Sequence, residues 1–272
     1  MPVRALVLRT AGTNCDEETQ FAWELAGARA ERVHINRLIE NPRRMADFQI
    51  LTIPGGFSYG DDIASGKIFA NQIVHHLADA IQEFLSKDRL VLGICNGFQV
   101  LVRCGLLPGR DNGPSPTKGL RPAGGRPTLM PSATLTNNDS GKFEDRWVHL
   151  RTDSGLCPFL KKGEVFDLPV AHGEGKFMPG DAAPLAQLQK AGQVALRYVD
   201  AKGRTGAGYP ANPNGSVSDI AGICDATGRI LGLMPHPERH ALPWHHPQWT
   251  RRPRRKFGDG LAMFKRGVGY FK

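Results

Sequence analysis

The chain has 272 residues, of which 40% are hydrophobic, enough to bury the core of one large α/β domain or two small ones; we expect one. Its formal net charge is +9, but residues 240–272 hold eight Lys/Arg and one acidic residue, which accounts for seven of these charges. A charge excess confined to a short tail argues against a basic face that binds nucleic acid.

The first half alternates predicted strands with predicted helices. Residues 5–8 predict a buried strand, and Asn14 with Glu17 predicts a capping box that opens a helix. That helix would place Phe21, Leu25 and Ala28 on its apolar face. Further strands are predicted at 32–35, 50–53 and 89–94, with an amphipathic helix along Ile73, Leu77, Ala80, Ile81 and Phe84. This order predicts a parallel sheet with right-handed crossovers.

A glycine-rich loop follows the third predicted strand, in the sequence Pro54-Gly55-Gly56-Phe57-Ser58-Tyr59-Gly60-Asp61-Asp62. Paired glycines let a backbone approach a ligand closely and direct N–H groups toward it. The loop is therefore a candidate oxyanion hole, although Pro-Gly-Gly is also common in plain turns.

The fourth strand ends in Gly93-Ile94-Cys95-Asn96-Gly97, and a helical pattern continues to Gly105. Gly-x-Cys-x-Gly is the thiol counterpart of the nucleophile elbow, in which small residues permit a strained turn between strand and helix. A helix N-terminus stabilises a thiolate, and the Asn96 N–H is placed to face an oxyanion. The alternative is a buried structural cysteine.

The second half is richer in strands. Residues 108–127 have the Gly- and Pro-rich composition of a surface loop. Strands are predicted at 128–136, 147–151, 165–170 and 193–199, with Ala171-His172-Gly173-Glu174-Gly175 as a turn. A hairpin around Thr227-Gly228 is predicted to join strands 220–224 and 230–234.

The last predicted strand runs into Pro235-His236-Pro237-Glu238-Arg239. A thiol mechanism needs a base that takes and returns a proton, and a carboxylate that fixes the imidazole tautomer. His236 and Glu238 lie two residues apart, and we expect the prolines to hold them on one side of an extended segment. A polar histidine without a catalytic role is the alternative.

Cysteine usage indicates a reducing compartment. The five cysteines are an odd set without a Cys-x-x-Cys pair, which argues against a disulfide framework or a cysteine-based zinc site. The apolar run 5–8 is too short for a signal peptide or a membrane span. We therefore expect a cytoplasmic protein.

These motifs together resemble class I glutamine amidotransferases, whose triad follows the order Cys, His, Glu. Within that class the glycine-rich loop, the 171–175 motif, Asn212-Pro213-Asn214-Gly215-Ser216 and residues 231–239 resemble the glutaminase subunits of phosphoribosylformylglycinamidine synthases, enzymes of purine biosynthesis. The resemblance continues into Pro247-Gln248-Trp249-Thr250-Arg251 and so spans nearly the whole chain.

The resemblance implies one amidotransferase domain at 1–239, three-layered around a mostly parallel sheet with extra strands in the second half. Residues 240–272 would then be a basic extension that packs on this domain and on a partner. By position, Cys95 would be the nucleophile, His236 the general base and acid, and Glu238 its orienter. Residues implied in oxyanion or substrate binding are Gly55, Gly56, Phe57, Asn96, Gln99 and His172.

The resemblance further implies that this chain hydrolyses glutamine and passes ammonia to a separate ATP-using synthetase, with room for a further small subunit. No Gly-x-x-x-x-Gly-Lys-Ser/Thr motif or Rossmann glycine fingerprint is present, so ATP and Mg²⁺ are expected on the synthetase and no cofactor or metal on this chain. Neither nucleic acid nor membrane is an expected partner.

Four other interpretations stay open at this stage. The chain could serve another amidotransferase, or be a cysteine peptidase or hydrolase of the same α/β class. The run Arg251-Arg252-Pro253-Arg254-Arg255-Lys256 could bind nucleic-acid phosphates. His236, His240, His245 and His246 could form a metal site, although no matching thiol or carboxylate set accompanies them.

Overall fold

A computed structural model describes residues 2–109, 132–181 and 185–272, so most of the predicted 108–127 loop lies outside the described residues. The strands are β1 Arg4–Arg9, β2 Arg29–His34, β3 Ile50–Ile53, β4 Leu90–Ile94, β5 Ala133–Asn137, β6 Glu144–Thr152, β7 Val165–His172, β8 Glu174–Pro179, β9 Val194–Val199, β10 Ile220–Cys224 and β11 Ile230–Leu233. The helices are α1 Asp16–Leu25, α2 Ile35–Glu40, α3 Lys67–Gln72, α4 Ala78–Ser86, α5 Asn96–Arg103, α6 Leu185–Lys190 and α7 Leu261–Gly269. A π-helical turn, Ile73–Leu77, joins α3 to α4.

The central sheet has the strand order β2-β1-β3-β4-β11-β10-β9-β6-β7. The strands from β2 to β11 in this order run parallel, whereas β10, β9, β6 and β7 continue the sheet with antiparallel pairs. Strands β5 and β8 form a separate antiparallel pair. The fold class predicted from the sequence, a mostly parallel α/β sheet with extra strands in the second half, is confirmed.

Helices cover both faces of the parallel strands. On one face, the indole N–H of Trp23 in α1 donates to the Thr52 hydroxyl at 2.9 Å. On the other, Gly97 in α5 packs directly on Ile53. Because neighbouring residues of a strand point to opposite faces, α1 and α5 lie on opposite sides of β3. These contacts produce the predicted three layers, and each buried strand can be apolar throughout.

Two local predictions in the first helix are wrong. The N-cap of α1 is Cys15, and no side chain of the described residues caps the helix, so Asn14 and Glu17 do not form a capping box. The phase of the helix also differs, since Phe21 is 43% exposed whereas Trp23 is fully buried. The large indole takes the core position because Thr52 offers its N–H a hydroxyl acceptor.

The predicted turn at 171–175 is mostly strand. His172 ends β7 and Glu174 begins β8, which leaves Gly173 between them. Strand β7 pairs with β6 in the central sheet, while β8 pairs with β5 in the small one. The chain therefore crosses between two sheets at Gly173 instead of turning back on itself.

The C-terminal residues take part in the core. Phe264 of α7 contacts Trp23 edge-on, with ring centroids 4.8 Å apart, and Leu261, Met263 and Val268 are buried. The division of the chain at residue 239 stays a prediction. None of the helices in the described ranges combines the length and apolar character needed to cross a bilayer.

Candidate active site

Cys95 lies at the junction of β4 and α5, as the elbow motif predicts. Its φ angle is +50°, a conformation that non-glycine residues adopt only under constraint. Its N–H donates to the Leu233 carbonyl at 2.8 Å, which ties the elbow to β11. A side chain at Gly97 would overlap the carbonyl oxygen of Ile53, so the helix can approach β3 only with glycine there. The strained turn is therefore built by packing on both sides of the cysteine.

His236 and Glu238 form a buried pair. The distance from His236 Nδ1 to Glu238 Oε1 is 2.6 Å, and both side chains are at most 2% exposed. The segment is not extended as predicted, because Pro237–His240 form a 3-10 turn with proline at its first position. Proline lacks an N–H and has a helical φ, so it suits the start of a helical turn. The turn still directs both side chains to one place.

The ionisation of His236 depends on its carboxylate partner. Burial, the largest single influence, would lower the pKa of His236, but the negative charge of Glu238 and the interactions with Cys95 and Cys15 together outweigh burial and hold that pKa well above its usual value. Among the described residues, His236 Nε2 has no hydrogen-bond partner. This nitrogen is therefore the atom available for proton exchange.

Gly55 brings the histidine and the cysteine together. A methyl group at this position would lie 2.7 Å from His236 Cε1 and 3.4 Å from Cys95 Cβ. The glycine is thus required where the imidazole, the elbow and the loop after β3 converge.

The glycine-rich loop is held by the chain segment that follows β1. The N–H groups of Phe57 and Tyr59 donate to the carbonyls of Gly12 and Ala11, at 3.0 and 2.8 Å. Gly56 has a φ of +130°, which only glycine adopts readily. The Phe57 side chain is 45% exposed and stacks on Phe143, with centroids 6.3 Å apart. The loop is therefore fixed by its backbone and presents an aromatic side chain at the surface.

The Asn96 side chain links this loop to α5. Its Oδ1 accepts from the Ser58 N–H at 3.4 Å, and its Nδ2 donates to Asp61 Oδ1 at 3.1 Å and to Gln99 Oε1 at 3.0 Å. Gln99 in turn donates to the Glu174 carbonyl at 2.6 Å. Asn96 and Gln99 thus lie beside Cys95 as expected, with side chains engaged in protein contacts. Their roles toward substrate stay predictions.

His172 belongs to a buried polar network. Its Nδ1 lies 3.1 Å from Asn138 Oδ1, and its Nε2 lies 3.5 Å from Asn214 Nδ2, which also donates to the Tyr198 hydroxyl. Burial, reinforced by the charge of His236, lowers the pKa of His172 to about 3. His172 is therefore a neutral residue near the triad rather than an acid or base at physiological pH.

Sequence analysis missed Cys15 and Arg239. The Cys15 thiol donates to Asn14 Oδ1 at 3.2 Å and accepts from Arg239 Nη2 at 3.0 Å. The Cys15 sulfur, one ring nitrogen of His236 and one carboxylate oxygen of Glu238 all lie within 4.8 Å of one another. A signal was available, because Cys15 follows β1, and the carboxyl ends of neighbouring parallel strands border one crevice.

Cys15, His236 and Glu238 are the one group of three metal-ligand side chains within mutual reach in the described part of the chain. The positively charged Arg239 guanidinium, which donates to the Cys15 sulfur, would repel a metal cation bound to these three side chains. The four-histidine alternative is not supported, because His246 is engaged with Asp167 at 3.2 Å. His240 lies beside it, with ring centroids 5.7 Å apart.

Comparison with known proteins gives likenesses along the whole chain. Residues 2–271 match the family described as the CobB/CobQ-like glutamine amidotransferase domain. The phosphoribosylformylglycinamidine synthase subunit PurQ of Dehalococcoides mccartyi is 44% identical over 267 residues, which cover 98% of this chain and 96% of that one. The corresponding subunit of Methanococcus maripaludis is 41% identical, with coverage of 98% and 97%. A chain in the structure of PurLQS from Thermotoga maritima aligns over 100% of both chains, with a TM-score of 0.71 and 30% identity.

Proposed function

This chain belongs to the CobB/CobQ-like glutamine amidotransferase family, and we propose that it is the glutaminase subunit of a phosphoribosylformylglycinamidine synthase in purine biosynthesis. The class recognised from the motifs is thereby confirmed, and the chain is an enzyme of the glutamine amidotransferase type. Its reaction is the hydrolysis of the glutamine side-chain amide to glutamate and ammonia.

In the first half of the proposed reaction, His236 takes the thiol proton and Cys95 attacks the carboxamide carbon of glutamine. The carbonyl oxygen becomes an oxyanion, which the N–H groups of Gly56 and Asn96 stabilise. The tetrahedral intermediate then breaks its carbon–nitrogen bond, and His236 returns the proton to the departing ammonia. A glutamyl thioester on Cys95 remains.

In the second half, His236 takes a proton from water, and the resulting hydroxide attacks the thioester carbon. A second oxyanion forms in the same place and collapses with release of the Cys95 sulfur, which recovers the proton from His236. Glutamate leaves, and the enzyme regains its starting protonation. Glu238 holds His236 Nδ1 throughout and stabilises the imidazolium formed in each half.

The observation that carries this proposal is the buried 2.6 Å pair of His236 and Glu238, whose second imidazole nitrogen is free of protein partners within the described residues. Cys95 approaches the same imidazole across Gly55. A paired Nδ1 and an available Nε2 next to a strained cysteine are the arrangement that proton transfer to and from a thiol requires.

The proposed assembly contains this chain, a synthetase subunit and a further small subunit. One solved relative belongs to a PurLQS structure, and the curated relatives compared above are synthase subunits, which supports a synthetase partner. We propose that ATP and Mg²⁺ bind the synthetase, because this chain lacks a phosphate-binding glycine motif. Residues 240–272 are proposed to pack partly on that subunit, through cations and aromatic side chains that remain exposed.

The test is covalent labelling with the glutamine-analogue electrophile diazo-oxo-norleucine, followed by peptide mass spectrometry. We expect one adduct, on the peptide that contains Cys95, and protection by glutamine. Hydrolysis of peptide amides in preference to free glutamine would favour a general cysteine hydrolase instead.

A second test uses the complex reconstituted with the synthetase. Cys95→Ala should abolish glutamine-dependent synthesis and leave synthesis from added ammonium intact, because only formation of the thioester needs the thiol. Loss of both activities would identify Cys95 as a structural residue.

A further inference from the structure

Arg239 places a positive charge next to the catalytic pair. Its side chain is 35% exposed and makes two contacts with the start of α1. The guanidinium donates from Nε to Glu18 Oε1 and from Nη2 to Cys15 Sγ, both at 3.0 Å. Arg239 follows Glu238 directly in the chain, so the catalytic carboxylate and this cation share one short turn.

Glu238 has an oxygen that attracts such a cation. Its Oε1 is bonded to His236, whereas Oε2 is buried and has no hydrogen-bond partner in the described part of the chain. A buried carboxylate oxygen without a partner is rare and unfavourable. The Cys15 thiol lies 3.0 Å from the guanidinium and within 4.8 Å of a Glu238 carboxylate oxygen, so it is adjacent to both charged groups.

Direct pairing of Arg239 with Glu238 would weaken the catalytic base. A guanidinium at Oε2 would draw the carboxylate away from His236 and reduce the negative charge that stabilises the imidazolium. The interaction would be strong because the site is buried and the local dielectric is low.

Two groups oppose this pairing. Glu18 offers the guanidinium a competing carboxylate, and Cys15 offers a sulfur acceptor while its own proton is donated to Asn14. Burial raises the pKa of the Cys15 thiol, so it accepts the Arg239 N–H as a neutral group.

We propose that Cys15 and Glu18 are positioning residues that hold Arg239 away from Glu238 and so preserve the His236–Glu238 pair for proton transfer. The inference rests on the proposed glutaminase function. It assigns Cys15 a role beside the nucleophile that is distinct from nucleophilic attack.

The test is a rescue experiment in the complex with the synthetase. Cys15→Ala and Glu18→Gln should each lower the glutamine-dependent kcat about tenfold, the effect of losing one charge-assisted hydrogen bond, with little change in KM. Arg239→Met alone should cost about twofold. Combined with Cys15→Ala, Arg239→Met should restore kcat to the level of Arg239→Met alone, because the misplaced charge is gone.

Further variants separate this role from packing. Cys15→Ser keeps an acceptor of similar size and should retain most activity. Cys104→Ala removes another buried cysteine, whose Sγ contacts Ala70 instead, and should leave kcat unchanged. A Cys15→Ala defect that persists in the double variant would overturn the proposal.

Labelling of Cys95 in the same variants distinguishes a failure of this inference from a failure of the proposed function. Diazo-oxo-norleucine should label Cys95 of the wild-type chain rapidly and that of Cys15→Ala slowly, with the rate recovered in the double variant. If the wild-type chain is labelled rapidly but the double variant is labelled as slowly as Cys15→Ala, the proposed restraint on Arg239 is rejected, whereas the proposed glutaminase function still holds. Absence of wild-type labelling would reject the glutaminase itself.

Discussion

Main-chain hydrogen bonds fix where Cys95 and His236, the proposed nucleophile and base, lie. The Cys95 N–H donates to Leu233 at the end of β11, and the His236 N–H donates to Pro169 in β7. The first bond ties Cys95 to β11, the strand that leads to His236, and the second ties His236 to β7, which lies at the other end of the antiparallel part of the sheet. Glu238 adds the side-chain contact that orients the imidazole, a smaller task than accepting the proton.

Because accepting a proton contributes more than orienting the imidazole, removal of His236 and removal of Glu238 should have unequal effects. His236→Ala should lower glutamine-dependent activity about a thousandfold, and Glu238→Gln should be tenfold to about a hundredfold less damaging, because triad members contribute unequally. Steady-state glutaminase assays of the complex provide the measurement. The control is Glu40→Gln, at an exposed position whose one ion pair among the described residues is with Arg37. Similar losses in Glu238→Gln and this control would remove Glu238 from the triad.

His172 predicts an acid-sensitive contribution to stability. Its pKa is about 3 in the folded chain and about 6.5 when unfolded, so between these values the unfolded state binds the additional proton. Stability should therefore fall as pH drops below about 6.5, by as much as about 1.4 kcal/mol per pH unit from this residue. Urea unfolding of the wild type and of His172→Gln between about pH 6 and about pH 4.5 measures the difference in slope. Equal slopes would show that His172 is not held neutral.

At the level of elements, sequence patterns predicted what is local and missed what is set by tertiary contacts. Strand β3 and the β10–β11 hairpin were predicted because apolar runs and turn residues signal them directly. Strand β8 was missed since its partner β5 lies far away in the sequence. The proposed triad was predictable from residue type and spacing. The position of Cys15 after β1 was a signal for the same crevice, but its contact with Arg239 joins residues 224 positions apart and forms only in the folded chain.

The elbow predicts that the packing of α5 on β3 tolerates no added atom. Gly97→Ala would press a methyl group into the Ile53 carbonyl and should cost about 1–3 kcal/mol of unfolding free energy, with slower labelling of Cys95. Gly269→Ala is the matched control, since a methyl group at that position would meet no atom of the described residues within 4 Å. That control should be neutral or raise stability by up to about 1 kcal/mol through helix propensity. Denaturant unfolding measures the unfolding free energy of both variants. An unchanged unfolding free energy in Gly97→Ala would contradict the close packing of α5 on β3.

Across the whole molecule, the excess positive charge is divided between internal and outward contacts. Arg252 pairs with Asp167, and Arg255 pairs with Asp259 at 2.7 Å. Arg251 and Arg254 are exposed and have no ion pair in the described part of the chain. Trp244 and Trp249 are 60% and 52% exposed and line a groove of about 650 Å³ that also includes Arg254. Exposed tryptophan beside arginine is typical of protein-binding surfaces.

This division predicts separate effects of two sets of variants. Arg251→Ser with Arg254→Ser should slow association with the synthetase and make it less sensitive to salt, because these outward charges would steer an acidic surface toward the tail. Labelling of Cys95 in the isolated subunit should not change. Arg252→Ser should instead lower the stability of the subunit, since it leaves the nearly buried Asp167 without its arginine.

Biosensor titration at low and physiological salt measures the association rates, and thermal unfolding measures stability. If the Arg251/Arg254 double variant associates at the wild-type rate at both salt concentrations, the outward charges interact only with solvent. The exposed tryptophans would then have to account for any contact of the tail with the synthetase, which Trp249→Ser would test on the same surface.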